Sequence, residues 1–313
     1  MNAQSIIERY KRYGWSTPPG EWGAIQSSAR APLREAIEDG EETLDRALAV
    51  MFQLPICNGL STFDSRHGDW PNKVDLFRDD VAMNLRTWMC STDATLADLE
   101  RLLAPEAGSP FVCEVEGVRI MYDTARHDHY AQKIVKLLPD GGTVLEIGGG
   151  YGGMALQLLR SSDNIQVVLC DLPETLYLAW YWLTNATERS VAWYDDDPDA
   201  DVVLLPAQEL EAWTRTPDLV FAAHSLSEFT LPVVKHYVGW IHRVRPRYFY
   251  HDSAHSGHMQ APAVAGSANS CDQWPEVMVA DINPSPPYHE VYRAQGLWRG
   301  TGLRYWEFLY ERR

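Results

Sequence analysis

Seven glycines fall within the thirteen positions of GGTVLEIGGGYGG, residues 141–153, between two apolar runs. Glycine lets a chain turn sharply and lets a ligand lie against bare backbone, so this stretch marks a small-molecule site. Two spacings fit it at once. Gly148-x-Gly150-x-x-Gly153 is the dinucleotide fingerprint, and Glu146-x-Gly148-x-Gly150-x-Gly152 is an acid followed by alternating glycines. Both place a strand end, a glycine turn and a helix start at one point of a doubly wound sheet. Glu146 separates them. A carboxylate is unfavourable beside a diphosphate and favourable beside a ligand that carries positive charge. The next apolar run ends in LCDLPE, where Asp171 would meet ribose hydroxyls in either case.

Two further runs end in groups able to move a proton. DLVFAAHSLSEF carries His224 and Glu228, and RYFYHDSAHSGH carries His251, Asp252, His255 and His258. Imidazole titrates near neutrality, which makes His224 the first candidate for a base. Glu228 could orient it, bind substrate hydroxyls, act as base itself, or complement a helix dipole. His251 or Asp252 could be the base or a polar wall. The same cluster could hold a divalent metal such as magnesium to polarise a hydroxyl. Its spacing matches no familiar ligand set, however, and it lies in a loop, so the candidate catalytic set is taken without a metal. Ser225 and Ser227 could cap the following helix. Arg126, His127, His129 and Tyr130 sit together on a helix ahead of the glycine stretch, either closing the cleft or forming a solvated face.

The elements that must carry these groups read as two parts. Residues 1–107 form a helical N-terminal cap. APLREAIEDGEETLDRALAVMF has a break at Gly40, KVDLFRDDVAMNLRTWMC carries apolar residues at helical spacing, and DATLADLERLLAP is capped by Asp93 or Thr95. Residues 108–313 form the core. It opens with a hairpin about Glu116–Gly117 and a helix over TARHDHYAQKIVKLL. Five apolar runs then alternate with helices, which predicts a parallel sheet covered on both faces. EVMVADI and TGLRYWEFLYER are two more strand candidates, and SGHMQAPAVAGSANSCDQWP reads as a loop.

Composition narrows the partners. The 313 residues carry a net charge of −16, which opposes a nucleic-acid backbone and suits a small neutral or cationic ligand. Five scattered cysteines without a CxxC pair indicate neither a disulfide framework nor a zinc knuckle. No signal peptide and no apolar run of membrane-spanning length is visible, so no membrane partner and a cytoplasmic location are expected. The helical cap could supply a homodimer surface.

VLEIGGGYGGMALQLL, VVLCDLPETLYLAWYWL and DLVFAAHSLSEF, in that order over residues 120–255, resemble the sugar O-methyltransferase family of bacterial polysaccharide pathways. That family lies within the class I S-adenosylmethionine-dependent methyltransferases. The likeness extends toward actinobacterial enzymes that methylate mannose in methylmannose polysaccharides. It implies a Rossmann-like α/β core with a mostly parallel sheet and antiparallel final strands. It implies S-adenosylmethionine as cofactor, with Glu146, Gly148, Gly150 and Gly152 at its amino-acid end. Asp171 would take the ribose diol and Leu172 the adenine face, while Ala207 and Gln208 would lie near the adenine amino group. Glu209 competes with Gln208 for the last place. The expected acceptor is a hydroxyl of a sugar or polysaccharide precursor. A small aromatic or polyketide acceptor is the alternative within methyltransferases, and an NAD-dependent oxidoreductase the alternative outside them.

Overall fold

The inner strands are buried over runs of consecutive positions. Val144, Leu145 and Ile147, Val167 to Cys170, Val202 to Leu205 and Leu219 to Ala222 are all shielded from solvent. Side chains alternate across a strand, so burial at consecutive positions requires cover on both faces. The computed structural model describes residues 3–16, 18, 23, 29–62, 70–254, 279–296, 298 and 305–313.

Helices α1 (Ala3–Tyr13), α2 (Ala31–Asp39), α3 (Glu41–Ala49) and α4 (Trp70–Thr92) come first. Gly40, at a φ of 108°, divides α2 from α3 where the break was predicted. A 3-10 helix over Leu96–Leu102 follows, started by a reciprocal capping pair of Thr95 and Asp98. Strands β1 (Val112–Val115) and β2 (Val118–Met121) form the hairpin. Its two turn residues, Glu116 and Gly117, both have positive φ, the geometry that matches strand twist. After α5 (Thr124–Leu137) the alternation begins: β3 (Gly142–Ile147), α6 (Gly153–Ser161), β4 (Ile165–Asp171), α7 (Pro173–Ala186), β5 (Val191–Trp193) and β6 (Val202–Pro206). A 3-10 turn over Ala207–Ala212 leads to β7 (Leu219–Ala223), α8 (Leu231–Val244) and β8 (Tyr248–Ala254). The chain ends with α9 (Val279–Ile282), β9 (Tyr288–Gln295) and β10 (Tyr305–Arg312).

The main sheet has the order β5-β6-β4-β3-β7-β8-β10-β9. The first six strands are parallel, and β10 runs antiparallel to both neighbours. This is the expected Rossmann-like α/β class, a mostly parallel sheet with reversed final strands. The chain winds outward from β3 through β4 to the edge strand β5, fills the place between them with β6, then crosses back to β7 and β8. The carboxyl ends of β3, β4, β7 and β8 therefore border the crevice where ligands bind in such sheets.

One face of the sheet carries α5, α6 and α7 together with α1, α2 and α3, in one continuous core. The other carries α8 and α9. On α6, Met154, Leu156, Leu158 and Leu159 are almost fully buried, each contributing roughly 1.5–3 kcal/mol relative to exposure. The final antiparallel pair differs from expectation. Val279–Ile282, within the EVMVADI run, is a short helix, and the edge strand is β9. Edge strands need bury only part of one face. β9 exposes Glu290, Val291, Arg293 and Gln295 and so offers no apolar run to find.

Candidate active site

The glycine turn leaves β3 with Gly148, Gly150 and Gly152 all at positive φ (74°, 57° and 89°). Two positions show why larger residues are excluded. A Cβ on Gly149 would sit 2.1 Å from Leu169 Cδ1 and 3.2 Å from Glu146 Oε2, so packing forbids it. A Cβ on Gly150 would meet nothing closer than the Leu60 carbonyl at 3.7 Å. A side chain there would meet only ordinary contact with Leu60, so at Gly150 it is the positive φ rather than crowding that favours glycine.

Glu146 lies beneath this turn, 4 % exposed, with Oε2 buried and lacking any hydrogen-bond partner. Burial, and then the nearby Asp171 carboxylate, push its carboxyl up to about 8. An unpaired buried carboxylate is costly, and a cationic group would relieve it. Asp171, at the end of β4, accepts the Gly150 amide on Oδ2 at 2.8 Å and the Leu172 amide on Oδ1 at 2.7 Å. Burial raises its carboxyl to about 6, the two amides pulling against that rise. Leu172 is the N-cap of α7 and is half-buried. Ala207 is half-buried at the start of the 3-10 turn and Gln208 is exposed, while Glu209 accepts the Tyr194 hydroxyl at 3.1 Å. Arg30 reaches the same region from the loop before α2. It is fully buried, donates to the Asn58 carbonyl at 3.0 Å, and its charge bears on Asp171 and Glu174. No sequence pattern points to it, because it arrives from 141 positions upstream of Asp171.

At the end of β7, His224 adopts a φ of 59°. Non-glycine residues rarely enter this left-handed region, which costs of order 1–2 kcal/mol. Its amide donates to the Asp252 carbonyl at 2.8 Å, and its ring stacks on Tyr305 with centroids 4.1 Å apart. Nε2 faces Asp252 Oδ2 at 3.4 Å. Asp252 is fully buried on β8 and also accepts the hydroxyl of Tyr130 from α5. Burial first and Arg126 second hold His224 below the usual imidazole range, against the pull of Asp252. A neutral imidazole with one nitrogen toward a carboxylate and the ring 19 % exposed can accept a proton from a bound hydroxyl.

The remaining candidates divide. Glu228 is half-buried at the end of the 3-10 turn Leu226–Glu228, close enough to act on Tyr305. His251 points to the opposite face of the sheet from Asp252, as strand alternation requires. Its ring stacks on Phe308 and Tyr310, and burial drives it down to about 4. His255 and His258 lie outside the described residues. Among the described residues no group of three or more His, Cys, Asp or Glu is arranged to hold a metal. Ser225 does not cap α8. Its hydroxyl donates to the Ile147 carbonyl at 2.7 Å and ties the β7 end to the β3 end, while Thr230 is the N-cap. The run on α5 is no solvated face, since Arg126, His129 and Tyr130 are buried. Arg126 and Tyr130 turn toward the β7 and β8 ends, and His127 packs against Gly153 of the glycine turn. Asp123, just before α5, was not anticipated. It pairs with Arg126 and also accepts the Ser61 hydroxyl and the Thr62 amide.

Solved structures similar to this chain are alike at low identity and over part of its length. One is the PH0226 protein from Pyrococcus horikoshii OT3, 13% identical over 61% of this chain and 92% of that one, with a TM-score of 0.46. Another is the magnesium protoporphyrin IX methyltransferase from Synechocystis PCC 6803 with bound SAH, at 13%, 61%, 85% and 0.42. A third is the Burkholderia thailandensis 1,6-didemethyltoxoflavin-N1-methyltransferase with its acceptor and S-adenosylhomocysteine bound, at 17%, 61%, 79% and 0.42. No protein-family model and no curated protein sequence matches the chain.

Proposed function

We propose that this chain is an S-adenosylmethionine-dependent O-methyltransferase whose acceptor is a hydroxyl of a sugar or polysaccharide precursor. The observation that carries the reading is the Glu146 carboxyl group, its Oε2 buried and unpaired beneath the glycine turn. A cationic ligand stabilises its ionised form against the cost of burial, whereas a diphosphate would make that form costlier still. Glu146 and the turn at Gly148, Gly150 and Gly152 would hold the amino-acid end of the donor. Asp171 retains lone pairs for a ribose diol, with Leu172 beside the base and Ala207 and Gln208 beyond it. When bound, the donor supplies a methyl carbon on a sulfonium; the acceptor oxygen bonds to that carbon and the carbon–sulfur electron pair stays with sulfur.

The protein's own work is alignment and proton removal. His224 takes the hydroxyl proton, and Asp252 orients the ring and offsets the charge it gains. Tyr130 fixes Asp252 in turn. His224, Glu228 and the Tyr305 ring give the acceptor side polar groups beside an aromatic face, which suits a polyhydroxylated ring.

The test has two stages. S-adenosylhomocysteine at about a hundred times its Kd should stabilise the protein by roughly 2.7 kcal/mol, seen as a raised melting temperature, and NAD should not. Labelled S-adenosylmethionine with an oligosaccharide panel should then mark a saccharide hydroxyl. Stabilisation by NAD alone overturns the donor assignment. Labelling of aromatic acceptors alone overturns the sugar.

A further inference from the structure

Three buried polar atoms lack a hydrogen-bond partner near the ends of β7 and β8: His224 Nε2, Asp252 Oδ1 and Arg126 Nε. One helix connects them. On α5 the Tyr130 hydroxyl donates to Asp252, and Arg126 lies one turn earlier on the same face. Arg126 is anchored from behind. Its Nη2 donates to Asp123 Oδ1 at 2.8 Å, and Asp123 is held by the Ser61 hydroxyl at 2.9 Å and the Thr62 amide at 2.8 Å. The guanidinium is thus an anchored, buried cation in a chain of net charge −16, and its charge acts on both His224 and Asp252.

We infer that Arg126 is a positioning residue of the proposed reaction, a fixed cation beside the His224–Asp252 pair that favours a neutral imidazole before proton transfer and an anionic oxygen as the acceptor's proton leaves. The inference rests on the reading of His224 as the base. The groups around that imidazole come from four elements. Arg126, Asp123, His127 and Tyr130 lie on or just before α5, Asp252 on β8, Tyr305 on β10, and Glu228 on the turn after β7. Burial and Arg126 disfavour the imidazolium, whereas Asp252 and Asp123 favour it, and the first pair prevails. A base kept neutral in this way is ready at pH values where a free imidazole is already half protonated. Once it takes the proton, Asp252 balances the imidazolium, and the positive field of Arg126 acts on the oxygen that has lost it.

Histidine ring NMR on the unliganded protein tests this without any methyl transfer, with His224→Asn identifying the resonance. In the parent protein His224 should titrate below the usual 6.5. Arg126→Gln should raise that midpoint by about one unit or more, and Arg126→Lys, which keeps the charge, should leave it close to the parent. Asp123→Asn removes the compensating anion and should lower the midpoint, and it decides the matter if Arg126→Gln does not fold. An unchanged midpoint in Arg126→Gln overturns the inference. So does an equal rise in Arg126→Lys, which would mark packing rather than charge, or a rise in Asp123→Asn. Failure to bind S-adenosylhomocysteine would instead strike the functional reading and leave these titrations standing.

Discussion

Glu146 and Asp171 lie on neighbouring strands, and burial together with the Asp171 carboxylate raises the cost of ionising Glu146. With Glu146 pushed to about 8, the unliganded protein holds a proton there at neutral pH. A cationic ligand seated against the carboxylate favours the ionised form and expels that proton. The sign follows from linkage. The ligand-bound state binds fewer protons than the free state, so affinity rises with pH, by about tenfold per unit while Glu146 is protonated. It levels off above about 8. Calorimetry with S-adenosylhomocysteine from pH 6 to 9, in buffers of different ionisation enthalpy, should show this slope and the release of one proton. Glu146→Gln should bind more weakly at pH 8 and lose the slope. A flat profile in the parent protein would separate Glu146 from the ligand.

At the scale of the element, the glycine turn performs two tasks that substitution can divide. Gly149 serves packing, because any Cβ there collides with the buried Leu169 side chain. Gly150 is not held by packing, because a Cβ there would make only ordinary contact with Leu60 and only its positive φ resists a side chain. Gly149→Ala should therefore cost several kcal/mol through overpacking and displacement of Leu169. Gly150→Ala should cost only about 1–2 kcal/mol in backbone strain and yet weaken S-adenosylhomocysteine binding severalfold. Urea denaturation and calorimetry on the two variants would show the split, and equal loss of stability in both would refute it. This element was legible in the sequence because its chemistry is local: acid, glycines and helix start follow one another in a single strand–turn–helix unit. The placement of His224 and Asp252 at the ends of strands was legible for the same reason, each ending an apolar run. Their pairing with each other, and the separation of His251 from both, follow from sheet order and strand alternation. Arg30, Asp123 and Tyr305 left no mark in the sequence. Each is brought to the site by tertiary packing from a distant segment whose local pattern concerns only its own helix, loop or strand. β9 escaped for a related reason, since a polar edge strand has little apolar periodicity to read.

At the scale of the molecule, one buried carboxylate joins the reversed strand to the helices on its face. Glu307 on β10 stands opposite Asp252 in the strand register. It meets His129 Nε2 at 3.0 Å, the Lys133 ammonium at 2.5 Å and the Tyr250 hydroxyl at 2.6 Å. His129 continues to Ser91 on α4, and Lys133 to Tyr292 on β9, so five elements share one polar network. Burial alone would raise this carboxyl, but His129 and Lys133 overcome it and hold the group down near 2. A carboxylate with a depressed native pKa contributes stability that is fully present above its unfolded value of about 4.3 and is lost as pH falls through the native value. Glu307→Gln should therefore destabilise the protein at pH 7 by on the order of 2 kcal/mol or more, since it also leaves Lys133 and His129 facing a neutral amide. The difference from the parent should shrink as pH falls from 4 toward 2. Urea unfolding at pH 7 and pH 3 measures both numbers. A deficit that stays constant across that range would assign Glu307 a packing role, and the reversed strand would then be held by its backbone ladder and apolar contacts rather than by this ion network.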